Sequence, residues 1–127
     1  MLTEFDTPYV HFEIKNNILF ATYKKGLEIN LVIAKEIVQS RLKFMQGEKL
    51  PVIVFDGGVV SMSKDARDFF GSAEGNEGLL AGAIIQNTPV SAAINNFFLF
   101  VSKPNIPAKI FINVDAALKW LSKFNHK

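Results

Sequence analysis

Cysteine is absent from this sequence. That excludes disulfides, thiol nucleophiles and cysteine-ligated zinc together. Tryptophan occurs once and tyrosine twice, against twelve phenylalanines. Phe carries no polar handle, so most of these rings are expected inside the protein, in a ligand pocket or against a partner. Long apolar runs are also missing: none approaches the roughly 20 residues of a membrane-spanning helix. The opening segment, Met1 to Asp6, lacks a basic region followed by an apolar stretch, so no secretory leader is expected. Asn87-Thr88 is followed by Pro89 and is no glycosylation acceptor. Fourteen basic and twelve acidic residues leave a net charge of +2, and the longest basic run is Lys24-Lys25. Nucleic-acid binding needs a clustered basic face, so nucleic acid is not an expected partner. A cytoplasmic protein without membrane insertion fits these absences.

What is present is one globular domain over residues 1–127, with nearly half of the residues hydrophobic and a fifth charged. Tyr9 to Lys15 alternates apolar and polar positions, as a half-buried strand does. Asn16-Asn17 suits a tight turn, and Ile18 to Tyr23 returns as the second strand of a hairpin. Asn30 is placed to cap a helix running to about Gln46, stopped by Gly47. Its apolar stripe is Leu31, Ala34, Val38, Leu42 and Met45, widened by Ile33, Ile37 and Phe44. The continuous apolar run Pro51 to Phe55, ending in Asp56, reads as a central strand buried on both faces. Ser63 caps a short helix, a Gly- and Glu-rich loop spans Gly71 to Gly78, and Leu79 to Gln86 is a second buried strand. Thr88 and Pro89 open a helix to about Val101. Lys109 to Ile112 is a last strand, and Asn113 opens the terminal helix. The predicted order is ββαβαβαβα: an α/β fold whose mostly parallel sheet begins with a hairpin and is flanked by helices.

This order, with the segment PVIVFDGGVVSMSKDAR from Pro51 to Arg67, resembles the strand, loop and helix of the STAS (SpoIIAA-like) fold. The ending KIFINVDAALKWL, Lys109 to Leu121, is similar to the close of small uncharacterised bacterial STAS/SEC14-like domains. The resemblance implies a non-enzymatic module that binds regulatory partners, often switched by phosphorylation of a serine where the helix after the central strand begins. The family's Asp-Ser-Ser/Thr-Gly is absent here. Its phosphorylated position falls on Lys64 or Asp65, and the nearest hydroxyls are Ser61 and Ser63. Asp65 thus stands as a fixed substitute for the phosphate, or one of the serines takes it. The implied regulatory or binding loop comprises Asp56, Ser61, Ser63, Asp65 and Arg67. The SEC14-like side of the comparison implies a different function, carriage or sensing of an apolar small molecule.

Read for chemistry, the chain offers no catalytic constellation, no metal site and no cofactor motif. Asp56 ends a buried strand where open α/β sheets place ligands, but a single carboxylate more often accepts loop N–H bonds. Asp65, Asp68, Glu74 and Glu77 lack EF-hand spacing and read as solvated acids. The Gly71–Gly78 segment lacks the Gly-Lys-Ser/Thr of a phosphate loop and reads as a flexible connector. His11 and His126 have no nucleophile elbow to serve, and Trp120 reads as packing. Phe97-Phe98-Leu99-Phe100 stands apart. On a helical wheel, Phe98 and Phe100 flank the inner face and Leu99 lies opposite. Either this helix forms an interface, in a homodimer or with a protein partner, or a pocket, or else neighbouring segments cover its flanks and leave Leu99 alone exposed.

Overall fold

The computed structural model of the chain describes residues 3–86, 92 and 104–125. A six-stranded sheet runs in the order β1-β2-β3-β5-β7-β8. Its strands are β1 (Glu4–Asp6), β2 (Val10–Lys15), β3 (Ile18–Tyr23), β5 (Leu50–Phe55), β7 (Leu79–Ile85) and β8 (Ala108–Phe111). The first three pair antiparallel, while β3–β5, β5–β7 and β7–β8 pair parallel. A separate parallel pair joins β4 (Leu27–Ile29) to β6 (Val59–Met62). Three helices complete the described elements: α1 (Leu31–Met45), α2 (Lys64–Gly71) and α3 (Val114–Leu121), the last extended by a 3₁₀ turn, Ser122–Phe124.

The local signals act as expected. Asn16 and Asn17 adopt φ of 52° and 60°, the left-handed pair that a two-residue hairpin turn requires. Asn30, Ser63 and Asn113 each accept a backbone N–H of the first turn that follows, which satisfies a donor that the helix itself leaves open. Gln46 and Gly47 close α1 in the left-handed region.

Side chains alternate across β5. Val52 and Val54 belong to the core under α1 and α2, whereas Ile53 and Phe55 belong to the core under α3. The sheet is therefore the middle of three layers. The hairpin, α1, the central strand and the terminal helix match the sequence reading. Strands β1, β4 and β6 do not appear in it, because each is only three or four residues long. The helix expected over Pro89–Val101, with Phe98, Leu99 and Phe100, falls outside the described residues except at Ala92.

The segment from Ser72 to Gly78 departs from expectation. It is no loose connector: Gly75 and Asn76 are buried, and a Cβ on Gly75 would stand 1.9 Å from the Phe69 carbonyl oxygen. Ser72 holds the chain there, accepting from the Gly75 N–H at 3.0 Å and donating to the Phe69 carbonyl at 2.6 Å. Among the described residues no helix is long and apolar enough to cross a membrane.

Candidate functional site

Between the sheet and α1 lies a cavity of about 120 Å³. Its floor follows from the strand period: Ala21 and Tyr23 of β3, Val52 and Val54 of β5, and Gly82 and Ile84 of β7 all point to the same side. Val38 and Arg41 of α1 form the wall above, with Phe70 of α2, Gly75 and Asn76 of the packed turn, and Ile106 before β8. A size of this order compares with an engineered apolar cavity of about 150 Å³ that accepts benzene.

Three ionisable groups enter this apolar surface: Tyr23, Arg41 and Asp56. Arg41 is 5% exposed and Asp56 6%. Arg41 sits one turn beyond Ile37 and Val38, so it continues the buried stripe of α1. Its Nη1 donates to the Glu77 carbonyl at 2.8 Å and contacts Met45 Sδ at 3.3 Å, and its Nη2 donates to the Gly75 carbonyl at 3.1 Å. Among the described residues no carboxylate oxygen lies within ion-pair distance of it. The guanidinium is thus compensated by carbonyl dipoles. Burial pulls its pKa down to about 10, opposed by Tyr23 and Glu77, so it stays charged at neutral pH. The Tyr23 phenol is pushed well above its ordinary value, first by burial and then by the Asp56 carboxylate, with Arg41 acting in the opposite sense. It is therefore a neutral hydroxyl, able to donate and to accept.

Asp56 reaches its place because Gly58 lets the turn after β5 close on the end of β3. A Cβ at Gly58 would fall 2.2 Å from the Lys24 carbonyl oxygen.

The structure separates the residues grouped by sequence. Asp56 is buried at the cavity. Ser61 is exposed on β6, opposite Glu28. Ser63, Asp65 and Arg67 come together at the first turn of α2. Ser63 Oγ and Asp65 Oδ1 share the Ala66 N–H at 3.3 and 2.9 Å, Ser63 Oγ also donates to Asp65 Oδ1, and Arg67 Nη1 donates to the Met62 carbonyl at 2.7 Å. Ser63 and Asp65 are exposed, as are Asp68, Glu74 and Glu77. His11 pairs with Asp6 and Glu4 on the outer edge of the sheet, and Trp120 packs between Phe111 and Phe124, tilted to the first ring and edge-on to the second. The sequence reading missed Arg41 and Tyr23. The signal for Arg41 was available, a cation at i+3 and i+4 from the buried stripe.

The chain resembles an uncharacterised protein of the DUF3478 family from Shewanella loihica PV-4 that has a SpoIIAA-like fold. The TM-score is 0.58 at 14% identity, over 88% of this chain and 91% of that one. The fold is SpoIIAA-like. Residues 12–125 match the family described as a domain of unknown function, DUF7793, and the chain belongs to that family. No curated protein matches the sequence.

Proposed function

We propose that this chain is a non-enzymatic binding domain that takes a small, largely apolar molecule between its sheet and α1, as a carrier or sensor. The observation that supports it is the cavity, with apolar walls and a few converging polar groups at one place, the composition typical of ligand sites. The hollow is partly open to solvent, so a small molecule can enter it without the fold opening. The test is native mass spectrometry on protein purified from its own host, followed by denaturation and analysis of the released fraction. A stoichiometric small molecule lost on denaturation is the expected result. Ligand-free protein that also gains no thermal stability from a library of small apolar compounds would refute the reading.

A second reading, a partner-binding surface switched by phosphorylation, rests on the exposure of Ser63 at the start of α2. A phosphate there would gain roughly 0.3–1 kcal/mol per charge from the helix terminus and lose a comparable amount against the adjacent Asp65 carboxylate. Its effect would fall on a partner rather than on the fold. Unchanged partner affinity in Ser61→Asp, Ser63→Asp and Asp65→Asn would reduce the surface to a connector.

A further inference from the structure

We infer that the cavity's ligand is a compact monocarboxylate, aromatic or short aliphatic, whose carboxylate pairs with Arg41 while its apolar end lies over Val52, Gly82 and Ile84. This rests on the binding reading above and adds the charge and size of the ligand.

A buried guanidinium ordinarily has an anionic partner, because neutral dipoles replace only part of its lost hydration. Arg41 is 5% exposed and, among the described residues, is met by two backbone carbonyls and a thioether. Arginine has five N–H donors in a planar fork that matches a carboxylate. Three of them are directed at those acceptors, which leaves two for a ligand, and the thioether is a weak acceptor that a carboxylate would displace. Tyr23, a neutral phenol lining the same cavity, offers an O–H to the same carboxylate. Volume sets the rest. A hollow of about 120 Å³ matches a single ring or a short chain.

The test is a matched series measured by calorimetry on the full chain: benzoate, benzyl alcohol and benzylamine, with hexanoate, hexanol and hexylamine as the aliphatic counterparts. The acids are expected to bind tighter than the alcohols by about tenfold or more, the worth of one charge-assisted hydrogen bond, and the amines weakest. Arg41→Gln should erase the acid preference, so that within this variant the acids bind no tighter than the alcohols. Gly82→Ala, whose added Cβ would meet Val52 Cγ1 at 3.6 Å, narrows the apolar end and should weaken acids and alcohols alike. Alcohols that bind as well as the acids would overturn the anion assignment and leave the binding reading standing. Failure of all six to bind at their solubility limits would overturn both. Should Arg41→Gln fail to fold, judged by circular dichroism, the order of the wild-type series decides alone.

Discussion

Replacing Arg41 by methionine removes a buried cation while keeping most of the apolar volume of its stem. The guanidinium holds two carbonyls of the packed turn, those of Gly75 and Glu77. The bond to Gly75 is buried, so its carbonyl loses a charged donor that water cannot readily replace, a cost of about 1–3 kcal/mol. Glu77 is exposed, and water can take over part of that bond, which limits the second loss to about 0.5–1 kcal/mol. Against these stands the relief of a desolvated charge, seen in the downward shift of the Arg41 pKa to about 10. The net expectation for Arg41→Met is a loss of about 1–3 kcal/mol. Arg41→Ala also forfeits the packing of the stem against α1 and the sheet and should lose about 2 kcal/mol more. Urea unfolding followed by circular dichroism measures both. The midpoint should fall with the slope unchanged, since the fold remains the same size. A methionine variant within about 0.5 kcal/mol of wild type would refute the claim that Arg41 fastens the turn to the helix.

Gly75→Ala and Gly58→Ala each drive a Cβ into a backbone carbonyl, at 1.9 and 2.2 Å. Each should cost about 3 kcal/mol or more in the same unfolding assay, and a near-neutral result for either would mean that the backbone there yields freely. Gly82→Ala meets only an ordinary contact and stiffens the unfolded chain, so it should stabilise the ligand-free protein by about 0.4–1 kcal/mol. Ser63→Ala should cost only about 0.5 kcal/mol, the low end for a helix cap, because Asp65 also accepts the Ala66 N–H. The His11 pKa is raised above the ordinary 6.5, mainly by its hydrogen bond to Asp6. Its contribution to stability is thus complete below that value and fades as pH climbs through the raised one. The Asp6 pKa is lowered, first by Lys24 and then by His11, so its contribution is complete above the ordinary 3.8 and is lost as pH falls through the lowered value. Asp6→Asn should bring the His11 titration, read by NMR, back toward 6.5, and no movement would show that the pair does not form in solution.

The local elements were legible in the chain because each is written in a short-range code. Asn16-Asn17 encodes the turn, Asn30, Ser63 and Asn113 the helix starts, and the unbroken run Pro51 to Phe55 a strand covered on both faces. That β5 lies between β3 and β7 was not legible, because the alternation of strands and helices fixes their succession along the chain and not their order across the sheet. The short pair β4–β6 could not be read, since three or four residues hold too little periodicity and their stability comes from pairing across the chain. The site was half legible. Asp56 stood out at the end of a buried strand, but grouping it with Ser61, Ser63, Asp65 and Arg67, as the STAS resemblance implied, placed a cavity residue beside the α2 start and its exposed serines. Arg41 looked like any helix arginine until the fold brought the Gly75 and Glu77 carbonyls to it from more than thirty positions away. Periodicity reports which face of a helix is buried. Only the packing of one element on another decides which polar group the buried face meets, and that meeting turns a run of apolar residues into a site.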